Sequence, residues 1–276
     1  MKKRAERKQK IVESYRWRKI DNPKMVISIF IILRVLVILT MVAQFFNQNY
    51  ESVCICILTL MLFALPSFVE RRLHIDLPDA LEIGIYFFIF AAEILGEINE
   101  YYLIIPFWDT VLHTINGFLF AAIGFCTVNF LNEDRNISLT LSPIYLAFAA
   151  FCFSMTIGVL WEFFEWGMDV WFGLDMQKDT ILQGFTSVNL NPEGRNIPYG
   201  VSNITDTLVV FADGTQQSLN VGGYLDIGLR DTMMDLFVNF IGAVVFSVMG
   251  FFYVKTKGKG KIARLFIPNV MKEPRE

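Results

Sequence analysis

Charged residues and histidines are scarce in this chain. Charged residues make up 18% of its 276 residues, whereas hydrophobic residues make up 54% and phenylalanine alone occurs 27 times. A soluble domain of this length would carry more charge and less aromatic mass. Long uncharged runs therefore favour a polytopic membrane protein. With only two histidines, His74 and His113, a three-histidine zinc site is excluded.

Cysteine is also rare, and its placement excludes a disulfide framework. No CxxC motif occurs, and all four cysteines fall inside apolar runs, where they are typical of small buried hydrophobic residues. They are Cys54, Cys56, Cys126 and Cys152.

The basic residues concentrate near the two ends of the chain. This placement is typical of topology signals and of contacts with anionic lipid, so we expect no nucleic-acid partner.

Six apolar runs are long enough to cross a membrane as helices. The predicted fold is an all-α polytopic membrane protein with six transmembrane helices and one long outer loop that contains a β-hairpin. Pro66 is expected to kink the second helix or to end it. The predicted helices cover residues 25–46, 52–69, 81–98, 108–130, 143–170 and 231–254.

The distribution of lysine and arginine predicts the orientation of the helices. With six crossings, 20 of the 24 basic residues fall on one side of the membrane. By the positive-inside rule, both termini are therefore predicted to be cytoplasmic. The resulting division is a basic tail at 1–24, five helices at 25–170, an outer loop at 171–230, the sixth helix at 231–254 and a basic tail at 255–276.

The outer loop contains two turn signals. The stretch "TDTLVVFADGTQQSLNV" predicts a β-hairpin with Asp213 and Gly214 in its turn, because both flanks are rich in β-branched residues. "NLNPEGRN" predicts a second turn. A loop this long is more often functional than idle.

Acidic and amide side chains recur at helical spacing on four of the predicted helices, near their outer ends. Residues spaced by three, four or seven positions share one face of a helix. The sets are Glu93, Glu97 and Glu100 on the third helix; Asp109, His113 and Asn116 on the fourth; Glu162, Glu165 and Asp169 on the fifth; and Asp231, Asp235 and Asn239 on the sixth.

This alignment predicts a shared polar pocket that opens toward the outer surface. A carboxylate within hydrocarbon costs about 2.5–3.5 kcal/mol on insertion scales, so the site must either hold protons or bind a cation. Oxygen ligands with one imidazole suit Mg²⁺, Mn²⁺ or Ca²⁺. One hypothesis is that the protein is a metal-assisted hydrolase or transferase that binds a lipid-linked or phosphorylated substrate in this pocket. The assigned roles are metal binding by Glu162, Asp231 and Asp235; proton transfer by His113, oriented by Asp109 and assisted by Glu165; and substrate binding by Asn116, Asn239 and Arg230.

Other interpretations remain open. Asp109 and Asp231 begin predicted helices, where carboxylates favour the helix dipole. His113 could form an interhelical hydrogen bond, and carboxylates could pair with Arg230. The alternative functions are an ion- or proton-coupled transporter and a structural or partner-binding membrane protein. The inner half of the fifth helix, "IYLAFAAFCFSM", carries no charged residues, which favours a one-sided site over a path across the membrane.

The chain resembles the YjdF-like family of uncharacterised bacterial membrane proteins. The motifs that carry the resemblance are "WDTVLHTINGF", "WEFFEW", "LNPEGRN" and "DIGLRDTMMDLFVNFIGA". The resemblance implies a multi-pass protein of the bacterial cell membrane and brings no reaction with it. The spaced histidine, glutamate and aspartate residues are also similar to a sparse pattern of VanZ-like proteins, although the glutamine-to-arginine signature of those proteins is missing here.

Overall fold

A computed structural model describes residues 23–73, 75–133, 141–256, 265–267 and 269–270. Almost all of the predicted tail 1–24, most of the tail 255–276, and His74 lie outside these residues. Within them the chain is mostly helical. The helices are α1 (Pro23–Phe46), α2 (Tyr50–Leu62), α3 (Leu65–Leu73), α4 (Asp79–Phe90), a π-helix (Ala91–Ile98), α5 (Tyr101–Ile104), α6 (Trp108–Glu133), α7 (Pro143–Phe172) and α8 (Leu229–Lys255).

Five helical segments are long and apolar enough to cross a membrane. They match five of the six predicted spans to within a few residues. The remaining predicted span, 81–98, is helical as α4 and the π-helix that follows it. The layout of six spans therefore stays a prediction. The five candidate spans are Lys24–Phe46, Tyr50–Glu70, Trp108–Asn129, Pro143–Phe172 and Leu229–Lys255.

Pro66 marks an interruption in the second predicted span, as expected. Helix α2 ends at Leu62, and α3 begins at Leu65. The amide of Ala64 bonds to the carbonyl of Met61, which is a tighter turn than the α-helical one. Proline cannot donate a hydrogen bond and its ring crowds the preceding turn, so the helix is interrupted just before Pro66.

The predicted stripe of glutamates on the third span stops before its last member. Glu93 and Glu97 lie on the π-helix, whereas Glu100 follows it in a left-handed conformation with φ 57°. A π-helix closes hydrogen bonds between residues five positions apart, so side chains four positions apart remain neighbours on its surface. The prediction extended a regular α-helix as far as Glu100, but the helix ends at Ile98.

Two compact units divide the chain: Met1–Gly158 with Val238–Glu276, and Val159–Phe237. The core of the first unit includes Leu81, Phe125, Leu146 and Phe246, which come from four different helices and are each fully buried. Burial of this apolar surface packs the helices of this unit closely together.

Helices α6 and α8 approach closely at two glycines. A Cβ atom added at Gly117 would lie 2.1 Å from the carbonyl oxygen of Asn239, and one added at Gly242 would lie 2.0 Å from that of Thr114. Small residues at helix crossings allow such approach in membrane proteins. The crossing therefore depends on the lack of a side chain at both positions.

The second unit contains three antiparallel strand pairs. Strand β2 pairs with β7, β3 with β4, and β5 with β6. In the first unit, β1 pairs with β8 in the same sense. The strands are β1 (Ile75–Asp76), β2 (Thr180–Leu182), β3 (Gly184–Ser187), β4 (Tyr199–Ser202), β5 (Leu208–Val210), β6 (Gln216–Ser218), β7 (Tyr224–Asp226) and β8 (Asn269–Val270).

The pairing of β5 with β6 confirms the predicted hairpin. The carboxylate of Asp213 accepts hydrogen bonds from the backbone amide and the hydroxyl of Thr215. These bonds hold the pKa of Asp213 below its usual value. Gly214 adopts a φ of +84°, which glycine tolerates without strain. The second predicted turn is also present, because the amide of Gly194 bonds to the carbonyl of Asn191.

We expect Gly117→Ala to destabilise the first unit by about 1–3 kcal/mol, because the added methyl group must push against the backbone of α8. Thermal unfolding of the purified protein in detergent measures this loss. Gly84→Ala is the matched control, since its added methyl group would lie an ordinary 3.8 Å from Leu119. Equal stability of the two variants would contradict the close crossing.

Candidate functional site

Two glutamates of α7 form a buried acidic pair in the second unit. Glu162 is 4% and Glu165 is 8% exposed. One carboxylate oxygen of each lies within 4.8 Å of the other. Their spacing of three residues places them on one face of the helix, as predicted. Two acidic groups this close repel each other when both are ionised, and burial strengthens the repulsion.

Trp161 holds one of these glutamates in place. Its indole N–H donates a hydrogen bond of 2.8 Å to Glu165, one helical turn away. The ring itself is 42% exposed, which agrees with a position at a membrane boundary. This contact was not predicted from the sequence, although the spacing of four residues indicates that the two side chains are neighbours.

Helix α8 contributes three of the predicted site residues to the same unit. Asp235 is 3% exposed and is the most deeply buried of the acidic residues. The carboxylate of Asp231 accepts a hydrogen bond of 2.7 Å from the amide of Lys178. The side chain of Arg230 is exposed, and its backbone amide donates to Asp226. Asp231 therefore anchors the outer loop from the first turn of α8.

Asp169 anchors the same loop from the end of α7. Its carboxylate accepts hydrogen bonds from the amides of Met176 and Gln177, at 2.6 and 2.9 Å. The side chain of Gln177 donates to Thr232 in the first turn of α8. The loop that leaves α7 is thus tied to both helices of this unit.

The outer loop is acidic beside this anchor. The pKa of Asp179 lies above its usual value, because partial burial and then the nearby carboxylates of Asp175, Asp226 and Asp169 disfavour its charge. Asp179 itself is exposed. The second unit thus concentrates negative charge where the loop joins α7 and α8.

Asp109 and His113 form the polar pair of the first unit. They lie one turn apart on α6, with 3.5 Å between the imidazole Nε2 and a carboxylate oxygen. The side chain of His113 is 9% exposed and that of Asp109 is 30% exposed. An aspartate beside an imidazole favours a single orientation of the ring. The orienting role of Asp109 stays a prediction.

The predicted substrate-binding amides contact each other. The side chain of Asn116 donates a hydrogen bond of 3.2 Å to Asn239, which is 1% exposed. Asn239 in turn lies 3.6 Å from the sulfur of Met155 on α7. The hydroxyl of Ser154 also donates to the carbonyl of Gly117 at 2.7 Å. These contacts join α6, α7 and α8 within the first unit.

The structure thus brings three pairs of predicted residues together: Asp109 with His113, Asn116 with Asn239, and Glu162 with Glu165. Arg230 and Asp231 contact loop or strand residues instead. The predicted meeting of Asp109 and His113 with the glutamates of α7 stays a prediction.

The buried carboxylates have the chemistry of a site for a hard cation. Glu162, Glu165 and Asp235 offer oxygen ligands, which Mg²⁺, Mn²⁺ and Ca²⁺ prefer. A cation would neutralise groups that cost much free energy to bury in ionised form. Of these residues, Glu162 and Glu165 have carboxylate oxygens close enough to bind one metal ion together.

Buried acidic groups on helices long and apolar enough to cross a membrane define the class as a membrane protein. The chain belongs to the DUF2238 family of predicted membrane proteins, whose family model matches residues 29–256. This match is consistent with the predicted YjdF-like resemblance. The comparisons with curated proteins and with solved structures gave no match.

We expect Trp161→Phe to destabilise the protein by roughly 1–2 kcal/mol, because a buried carboxylate loses its hydrogen-bond donor while most of the aromatic surface is kept. Thermal unfolding in detergent measures the change. Trp166→Phe is the matched control, because it keeps the ring that packs against Trp171. A loss no larger than that of the control would show that the indole N–H does not stabilise Glu165.

Proposed function

We propose that this chain is a six-span protein of the bacterial cell membrane that binds a divalent cation through carboxylates of α7 and α8. Both termini are cytoplasmic in this proposal, and the cation lies in the outer half of the membrane. The observation that carries it is the burial of Glu162, Glu165 and Asp235, at 4%, 8% and 3% exposure, on helices with the length and composition of membrane spans.

Ionised carboxylates on apolar helices carry a free-energy cost. Each ionised carboxylate at the centre of a membrane helix costs about 2.5–3.5 kcal/mol on insertion scales. Glu162 and Glu165 add mutual repulsion, because their oxygens lie within 4.8 Å of each other. A bound Mg²⁺, Mn²⁺ or Ca²⁺ offsets both costs at once. The same cation offers open coordination positions to phosphate oxygens of a substrate.

The roles of the site residues follow from their chemistry. Glu162 and Asp235 bind the cation, and Asp231 completes the set while it anchors the loop. His113, oriented by Asp109, carries a proton, and Glu165 assists it. Arg230, which is exposed, meets the substrate's negative charge. Asn116 and Asn239 are the proposed substrate contacts, but their mutual hydrogen bond equally supports a structural role.

The substrate class in this proposal is a lipid-linked or phosphorylated molecule at the outer leaflet, and the reaction class is metal-assisted hydrolysis or transfer. A bound cation can polarise a phosphoryl oxygen and activate a water molecule. One-sided placement of the acidic residues favours a site over a path through the membrane. The bare inner half of α7, "IYLAFAAFCFSM", supports the same preference.

An ion- or proton-coupled transporter is the second candidate. It is favoured by a polar pair on α4, where the buried hydroxyl of Tyr86 donates a hydrogen bond of 2.7 Å to Glu82. A transporter requires such groups along its path, and titratable side chains within membrane helices commonly mark one. In that case the carboxylates of α7 and α8 would bind protons in place of a resident cation.

Manganese binding to the purified full chain tests the proposal. We expect Mn²⁺ to bind the parent protein, and Glu162→Gln combined with Asp235→Asn to weaken binding by roughly tenfold or more. Electron paramagnetic resonance measures the free ion during the titration. Glu51→Gln combined with Glu193→Gln removes the same charge from exposed positions and should bind as the parent does.

Thermal unfolding of each variant without metal shows that it is folded. If the double variant at Glu162 and Asp235 binds Mn²⁺ as tightly as the parent, the cation site is wrong. If His113→Ala leaves Mn²⁺ binding unchanged while the double variant weakens it, the cation site stands. His113 then acts in a later step than metal binding.

A further inference from the structure

Arg34 is a charged residue in the middle of an apolar helix, and the proposed cation site makes no use of it. It lies in α1, about 16 Å along the helix axis from Pro23, the first residue of that helix. The helix has the length and composition of a membrane span. A cationic side chain at such a depth is costly and commonly marks a functional site. Its contacts therefore indicate what compensates its charge.

Aromatic rings of the first unit hold the guanidinium of Arg34 on one side. Its Cζ lies 4.7 Å from the centroid of the Phe30 ring, which is a cation–π arrangement. The Phe30 ring lies 5.0 Å from that of Tyr86 and 6.3 Å from that of Phe63. Tyr86 and Phe63 are both buried. The side chain of Arg34 thus lies against a packed group of rings rather than extending freely toward water.

The Tyr86 hydroxyl connects Arg34 to two carboxylates. It interacts electrostatically with Arg34, Glu82 and Glu70. Glu82 accepts a hydrogen bond of 2.7 Å from that hydroxyl. Glu70 accepts one of 3.0 Å from the amide of Leu77. By contrast, the Nε of Arg34 is buried and has no hydrogen-bond acceptor within the residues that the structure describes. The cluster thus has a surplus donor, which favours an anionic ligand.

Arg34 lies at the border between the packed and the exposed faces of α1. Ile31 and Ile38, which are three and four positions away, are 52% and 43% exposed. Val37, on the other side, is fully buried. Residues at these spacings are neighbours on a helix surface. Side chains on a helix lean toward its N-terminal end, and the contact of Arg34 with Phe30, one turn earlier, agrees with that direction. A lipid beside α1 can therefore approach the guanidinium laterally.

We propose that Arg34 binds the phosphate group of a phospholipid from the leaflet at the N-terminal end of α1. A guanidinium binds phosphate through charge-assisted hydrogen bonds, and the buried Nε is one of the donors. The phosphate supplies the acceptor that this donor requires and a negative charge that compensates the cation. The exposed Ile31 and Ile38 offer an apolar surface to the acyl chains. This site contains only residues of the first unit and is independent of the cation site.

Native mass spectrometry of the purified full chain tests this site. We expect the parent protein to bind phosphatidylglycerol, and Arg34→Gln to weaken binding by roughly tenfold, because charge-assisted hydrogen bonds are lost. Lys255→Gln is the matched control. That lysine also faces an aromatic ring, 5.5 Å from the centroid of Phe251, but it is exposed. Equal losses in the two variants, or a parent protein that binds no phosphatidylglycerol, would overturn the site.

A comparison of probes separates phosphate recognition from general lipid binding. Diacylglycerol has the same acyl chains without the phosphate, and we expect the parent protein to bind it as weakly as Arg34→Gln does. Equal affinity of the parent for diacylglycerol and phosphatidylglycerol would overturn phosphate binding. Inorganic phosphate should not displace phosphatidylglycerol at equal concentration. Displacement would show that Arg34 binds a free anion and that the lipid occupant is wrong.

Two further variants test the chemistry assigned to the cluster, and thermal unfolding in detergent shows that each is folded. Arg34→Lys keeps the positive charge but lacks Nε, so it should also weaken phosphatidylglycerol binding. Binding as tight as that of the parent would overturn the role of Nε. Glu82→Gln removes a negative charge from the cluster and should leave binding unchanged or strengthen it. Weaker binding by this variant would contradict an anionic ligand.

Discussion

The cost of placing ionised carboxylates on apolar helices is the constraint on which the rest of this structure depends. Glu162, Glu165 and Asp235 are each more than nine-tenths buried, on helices with the composition of membrane spans. Such groups persist only when a hydrogen bond, a proton or a cation compensates their burial. Trp161 provides one hydrogen bond to Glu165. In the proposal, a bound cation would offset more of the free-energy cost of burying these carboxylates. The acidic pair would then act as metal ligands.

The helices of the first unit are held by close packing and by hydrogen bonds between amide side chains. Lipid tails are as apolar as leucine, so helices in a membrane associate through small residues and hydrogen bonds. Gly117 and Gly242 allow the backbones of α6 and α8 to meet. Asn116 and Asn239 join the same two helices by a hydrogen bond, and their burial makes that bond costly to lose. Asn116 and Asn239 thus belong to a closely packed framework within the first unit.

Much of this architecture could be predicted from the sequence, because apolar length and turn chemistry are local signals. Five helices long and apolar enough to cross a membrane, the interruption near Pro66 and the hairpin around Asp213 and Gly214 are confirmed. Glu100 was wrongly placed on the helix of Glu93 and Glu97, because the end of that helix left no signal in the spacing. The pairing of Glu162 with Glu165 followed from helical periodicity. The burial of Ile267 in the core of the first unit could not be predicted, because contacts between distant segments leave no periodic signal, and the basic residues before it indicated a solvated tail.

Infrared difference spectroscopy of the purified protein, with and without Mn²⁺, tests the central claim most directly. It reports whether the carboxyl groups on the membrane helices are protonated or ionised. Metal ligands must lose their protons, so cation binding should convert protonated carboxyl groups to carboxylates and release protons to the solvent. The account predicts that the protonated carboxyl band falls when Mn²⁺ is added, and that Glu162→Gln with Asp235→Asn abolishes the change. An unchanged spectrum in the parent protein would contradict a cation held by these carboxylates.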